Sequence, residues 1–408
     1  MLKVIWILVF ILLTYFSVPV VEAAKKQPQI KADMEQQTVY PPLEKMLGAM
    51  LMFGFRGLQF DENDSFYQLL RTGKIANVIL FDRDVTKGGS RNIESPGQLR
   101  KLCSQLRDAG VLFIGIDQEG GQVRRLKPKN GFAELPSAQA MGQGNQHETL
   151  DKGEKLGQEL RNIGLNVDFA PVVDVDVNPY NPVIGRLGRA FSSDPAQVAI
   201  HALAFGRGLA RSGVIPVLKH FPGQGCADKD SHLEVTDITA CWKADVDLLP
   251  YAEIFQQGWP GMVMTGHLMQ KNLDPQNSAT LSHNIIDGLL REGLGWQGVV
   301  ISDDMQMEAA GGKDLKETMR LAILAGVDIL LFGNNLKWDE ELPEKAVAAL
   351  ASLVSENSIP ETRIRQSWDR ISALASVYRL LPAMQHDNLQ IEAAASGKNE
   401  GSNVKNID

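Results

Sequence analysis

The stretch Val217 to His232, VLKHFPGQGCADKDSH, is dense in groups that can do chemistry: within sixteen residues it carries two histidines, two lysines and two aspartates. It begins as an apolar run and breaks into a loop punctuated by Gly and Pro, the pattern of a strand that hands over to an irregular segment. Asp230 and His232, two apart on such a loop, can point the same way, so that the carboxylate orients and charges the imidazole for proton transfer. In isolation a D-x-H string is more often a turn aspartate beside a surface histidine. Its weight comes from the other polar groups of the chain.

Those groups also sit where apolar runs end. Asp117 closes VLFIGID, Asp174 lies in LNVDFAPVVDV, Lys219 and His220 end PVLKHF, His267 ends GMVMTGH, and Asp303 and Asp304 end GVVISDD. A set rich in His and Asp permits two chemistries. One is a metal centre with His220, His232 and His267 as nitrogen donors, but no H-x-H or H-x-x-x-H spacing puts two imidazoles on one strand or one helical face. The other is glycoside hydrolysis, which needs a carboxylate and a proton donor on opposite sides of an anomeric carbon. Asp303 or Asp304 fits the first role and the Asp230/His232 unit the second.

The elements that must position these residues are legible as a repeat. Eight short runs rich in Val and Ile, at 49–55, 77–81, 111–117, 165–175, 216–221, 261–267, 298–304 and 328–333, read as strands buried on both faces. Amphipathic segments at 65–73, 96–110, 148–164, 194–213, 245–258, 283–295 and 315–326 alternate with them, and several stop at Gly. Eight alternations predict an α/β fold, a (β/α)8 TIM-type barrel with a single catalytic domain over residues 43–381, closed by helical segments at 344–354 and 361–381. In such a barrel the carboxyl ends of the strands form the active rim, and the polar residues named above fall at those ends.

Composition bounds the rest. The chain has 408 residues, 44% of them hydrophobic, and a formal net charge of −8 from 41 Lys+Arg against 49 Asp+Glu. An acidic balance argues against nucleic acid or an anionic membrane as the main partner, since phosphate binding needs a basic surface. Three cysteines, Cys103, Cys226 and Cys241, exclude a zinc-finger or disulfide framework. Cys226 and Cys241 flank the key loop and can pair in an oxidising compartment or stand as small thiols. At the amino terminus, Lys3 precedes an apolar run from Val4 to Val20 and then VEAA. Residues 1–24 therefore read as a secretory signal peptide, or as an uncleaved membrane anchor, and predict an exported, periplasmic or secreted protein. Residues 25–42 read as a linker and 382–408 as a polar, disordered tail.

Four strings together carry a resemblance: GIDQEGGQVRRL, the NPVIG…RAFSSDP segment, KHFPGQG with D-x-H downstream, and GVVISDDMQM. They resemble glycoside hydrolase family 3, specifically its single-domain β-N-acetylglucosaminidase branch, over about Leu43 to Tyr378. The resemblance implies a carbohydrate substrate, a retaining mechanism, and neither metal nor cofactor. It implies Asp303 as the nucleophile, Asp230 and His232 as the acid/base dyad, and Asp117, Arg125, Arg189, Lys219 and His220 as sugar-binding groups. Glu119 is expected to brace Arg125, Asp304 to hold neighbouring backbone, and Met305 and Met307 to pack. His267 is expected either to touch the sugar or to be a satisfied core histidine.

The chain departs from the family pattern at two points. Gln224 stands where the family's loop carries histidine, and NPVIGRLGRAF offers Arg186 as a rival to Arg189. Implied substrates are cell-wall muropeptides or chitooligosaccharides; the alternatives are a β-glucosidase, a glycoside phosphorylase or a non-catalytic sugar-binding barrel. The sequence gives no oligomeric state.

Overall fold

The computed structural model describes residues 40–381 except Glu62, 231–235 and 308–313. The signal-peptide or anchor segment, most of the linker, the tail and His232 lie outside the described residues.

All eight apolar runs contribute a barrel strand: β1 (Leu51–Gly54), β2 (Asn77–Leu80), β3 (Phe113–Ile116), β4 (Val167–Asp168), β5 (Ile215–Phe221), β6 (Met262–Thr265), β7 (Val300–Asp304) and β8 (Ile329–Phe332). Each pairs in parallel with its sequence neighbours, and Leu51 opposite Leu330 closes β1 onto β8. The result is a closed (β/α)8 barrel. The strand residues are buried almost throughout because helices cover the outside while side chains fill the inside, which is why the runs are apolar without alternation.

A covering helix follows each strand: α1 (Ser65–Arg71), α2 (Pro96–Asp108), α3 (Gln146–Ile163), α4 (Pro195–Arg211), α5 (Leu249–Gln256), α6 (Asn284–Gly293, wound as π-turns), α7 (Leu315–Ala325) and α8 (Leu342–Ser355). The starts are written locally. Asp64, Ser95, Asn145, Asp194 and Asp314 each accept a backbone N–H of the first turn, and Pro96 and Pro195 occupy first helical positions. Each such cap contributes about 1 kcal/mol to the helix it starts. α3 and α4 approach closely because glycines face each other: a Cβ on Gly153 would lie 2.2 Å from the Phe205 carbonyl oxygen.

At the amino-terminal end of the barrel the buried Asp328 collects Arg291, Arg363 and Arg370 at 3.0–3.2 Å. Arg363 and Arg370 belong to the last helix, α9 (Glu361–Val377), so this carboxylate fastens the closing helix under the barrel. The opposite, carboxyl end carries the longer loops and the site.

The fourth run differs from its reading. It pairs only at Val167 and Asp168 and then continues as irregular backbone, touching β5 again through Val172 beside Lys219. Pro171 interrupts it, and a residue without an N–H cannot extend a central ladder.

Candidate active site

The carboxyl end of the barrel opens into a cleft of about 470 Å³ lined by Asp117, Glu119, Arg125, Arg189, Lys219, His220, Asp230, Asp303 and Asp304 together with apolar groups such as Phe169 and Met264. Except for His232, every predicted site residue is therefore brought to one cavity. β3 delivers Asp117 directly, and a short antiparallel ribbon, Gln118–Gly120 against Val123–Arg124, folds Glu119 and Arg125 back over it.

Charges on the cleft floor are interlocked. Lys219 lies 2.9 Å from Asp117 Oδ1 and 2.7 Å from Glu119 Oε1. Arg125 donates to Asp117 Oδ2 at 3.1 Å, while Arg189 donates from Nε and Nη2 to both oxygens of Glu119 at 2.7 Å. Glu119 thus braces Arg189 and Lys219, whereas Arg125 is held by Asp117, a correction to the expectation that Glu119 supports Arg125. Arg189 and Lys219 occupy both oxygens of Glu119, while Lys219 takes only Oδ1 of Asp117 and leaves Oδ2 to Arg125.

Burial alone would push these acids up, but the cations win. Lys219 and Arg125 hold Asp117 well below the usual carboxylate range, and Arg189 and Lys219 hold Glu119 down at about 2. Burial lowers Lys219, yet Asp117 and Glu119 raise it above its ordinary value, and Glu119 does the same for Arg189. The floor is therefore a set of fixed charges, donors and acceptors alike, suited to a polyhydroxylated ligand. The shielded Nε of Arg125 has no hydrogen-bond partner among the described residues.

Beside this network, His220 Nδ1 lies 2.7 Å from Asp174 Oδ2, and its Nε2 faces Arg189 Nη2 at 3.3 Å. Since a guanidinium can only donate, these partners assign the ring proton to Nδ1. Asp174 also accepts the backbone N–H of Gln224 at 2.7 Å, so one buried carboxylate orients His220 and the turn that starts the Asp230 loop. The sequence placed Asp174 at a strand end without giving it this role; its position in the irregular half of the fourth run was the available signal.

Asp303 lines the cleft and accepts the N–H of Asp304. Asp304 is occupied by backbone: it accepts Gly333 N at 2.9 Å and Gln306 N at 3.1 Å. His267 is fully buried and its Nε2 meets the Asp304 carbonyl at 3.0 Å, so it supports the strand end that bears both acids. Of the two arginines, Arg189 lines the cleft and Arg186 stands exposed. Cys226 and Cys241 form a disulfide with Cα atoms 5.8 Å apart, joining the two ends of the segment that carries Asp230.

Fold and site together define a closed, parallel (β/α)8 barrel with paired acids and an interlocked set of charges at its carboxyl rim, a layout suited to a polyhydroxylated ligand. The match to the glycosyl hydrolase family 3 N-terminal domain over residues 43–374 places the chain in that family, and it is a glycoside hydrolase. It is 35% identical over 292 residues to the β-hexosaminidase of Pseudomonas aeruginosa, covering 70% of this chain and 82% of that protein. It is 34% identical over 330 residues to β-hexosaminidase A of Pseudoalteromonas piscicida, covering 75% of this chain but only 54% of that longer protein. Among solved structures, a family 3 β-N-acetylglucosaminidase from Paenibacillus superposes with a TM-score of 0.75 at 30% identity, over 88% of this chain and 68% of the other.

Proposed function

We propose that this hydrolase is a retaining, exo-acting β-N-acetylglucosaminidase that removes terminal N-acetylglucosamine from muropeptides or chitooligosaccharides. The observation that carries the reading is the shared cleft: Asp303 opens onto the same cavity as the Asp117–Lys219–Arg125 and Glu119–Arg189 network. The names borne by the β-hexosaminidase relatives and the β-N-acetylglucosaminidase neighbour support it.

In this mechanism Asp117 accepts sugar hydroxyls while Arg125, Arg189 and Lys219 donate to hydroxyl and acetamido oxygens, and His220, whose Nε2 accepts from Arg189, holds that guanidinium in place. Asp303 attacks the anomeric carbon, the bond to the leaving oxygen breaks, and His232, oriented by Asp230, protonates that oxygen. The glycosyl ester on Asp303 is then hydrolysed by water, with His232 taking the water's proton. A carboxylic acid placed ~5–5.5 Å from an ionised Asp303 would need its pKa raised by like charge, a requirement an imidazole avoids. The signal-like amino terminus and the Cys226–Cys241 disulfide support an exported enzyme, since disulfides persist in oxidising compartments.

The test is hydrolysis of nitrophenyl β-N-acetylglucosaminide and the matching glucoside by the purified protein and by Asp303→Ala. Cleavage of the N-acetyl sugar alone, lost in the variant, is expected. Turnover retained by the variant, or a wild type inert on both sugars, would sink the assignment.

A further inference from the structure

The loops at the carboxyl end of the barrel carry exposed apolar side chains: Val85 and Leu336 line the cleft, while Val177 and Tyr180 lie on the segment that leads into the cleft-lining Pro182. Among the described residues five large apolar side chains stand exposed, and four of them, Val85, Val177, Tyr180 and Leu336, lie on loops at the carboxyl end of the barrel. Single exposed apolar groups need no explanation, but their segregation to one end of the barrel does. Tyr180 is the only aromatic among them and is 74% exposed.

Its position is fixed by the loop it abuts. The segment from Val175 to Asn181 is fitted onto the start of the Asp230 loop: a Cβ on Gly225 would lie 1.8 Å from the Val175 carbonyl oxygen. Asn178 Nδ2 donates to the Ala227 carbonyl at 3.0 Å and Asn181 Nδ2 to that of Gln224 at 2.7 Å. Asn178 Oδ1 accepts the Tyr180 N–H at 3.1 Å, so the residue that grips the loop also shapes the turn presenting Tyr180. Pro182 and Val183, next along the chain, line the cleft, as does Asp230.

A proton donor must lie on the side of the bond from which the leaving group departs. If the donor belongs to the Asp230 loop, a step that rests on the proposed function, the leaving sugar departs on the side of that loop, against which the segment that carries Tyr180 is packed. We propose that Tyr180, with Val177 on the same segment, is the platform for the leaving-group sugar. Its ring offers an apolar face to the C–H face of a pyranose, at a low cost in side-chain entropy. The platform makes Tyr180 a specificity residue that favours carbohydrate leaving groups and leaves the bound N-acetylglucosamine untouched.

The experiment compares two substrates with the same first sugar: N,N′-diacetylchitobiose, which has a leaving sugar, and N-acetylglucosaminyl β-fluoride, which has none. Tyr180→Ala is expected to lower kcat/KM for the disaccharide about five- to tenfold and to leave the fluoride unchanged, with Tyr180→Phe close to wild type on both. An unchanged disaccharide-to-fluoride ratio in Tyr180→Ala overturns the platform, as does an equal loss on both substrates, which would mean that Tyr180 merely supports the loop. Wild-type turnover of the fluoride establishes the reaction independently of Tyr180. A wild type inert toward both removes the hydrolase reading and the platform with it.

Discussion

Replacing Glu119 by Gln tests whether the fixed charges of the floor are what the fold maintains there. The carboxylate is only 4% exposed and contacts Arg189 twice and Lys219 once, all at 2.7 Å. A glutamine of the same shape turns one acceptor into a donor facing two cations. Removing one partner from a buried pair leaves an uncompensated charge and costs about 3–5 kcal/mol. The Glu119 pKa gives a comparable figure: depression from 4.5 to about 2 corresponds to roughly 3 kcal/mol.

For the roughly 330 described residues at about 2.1 cal/mol/K each, 3 kcal/mol lowers Tm by about 4 °C. The sign follows from linkage. A depressed acid contributes stability that is full above its unfolded pKa, near 4.5, and is lost as pH falls toward 2. The gap in Tm between wild type and Glu119→Gln is therefore expected to be full at pH 7 and to shrink steadily below pH 4.5. With Arg189 and Lys219 released, kcat/KM on the nitrophenyl substrate is expected to fall at least about tenfold. Thermal unfolding at several pH values and one kinetic series suffice. Equal Tm values at pH 7, or a gap that does not narrow in acid, would refute the argument.

Two further outcomes are expected. Replacing Cys226 and Cys241 together by Ala frees a segment with a sequence separation of 15, which the loop-entropy relation values at about 3 kcal/mol, or about 4 °C in Tm; a double variant that melts with wild type contradicts this. Asp247 is buried with Oδ1 unpaired among the described residues, and burial, with Asp174 and Asp245 nearby, raises its pKa to about 7. An acid raised in the folded state loses stability as pH climbs from about 4 to 7, so Asp247→Asn should melt higher than wild type at pH 8 and alongside it at pH 4, and the opposite order in unfolding scans defeats the reasoning.

The barrel was legible in the sequence because its signal is local. A strand buried on both faces must be apolar at successive positions, and a covering helix must repeat at 3.6 residues, whatever they later touch. The eight runs, the amphipathic segments at 65–73, 96–110 and 194–213, and the carboxyl-end location of Asp117, Lys219 and Asp303 all follow from such short-range rules. The spacing of D-x-H and of the two acids suggested the chemistry, and the resemblance named it.

What the sequence could not decide was partnership. Lys219 meets Asp117 across 102 residues and Arg189 meets Glu119 across 70, and only barrel closure brings β3, β5 and the loop after β4 within hydrogen-bond reach. Glu119 looked like a neighbour for Arg125 because they are close in sequence; the ribbon after β3 turned it toward Arg189 and Lys219 instead. The hold of Asp174 on His220 and Gln224 and the fitting of the Tyr180 segment against Gly225 arise the same way. Local rules set which backbone each residue rides on; long-range pairing set which charges meet, because Coulomb and hydrogen-bond energies depend on distances that exist only once the chain has closed.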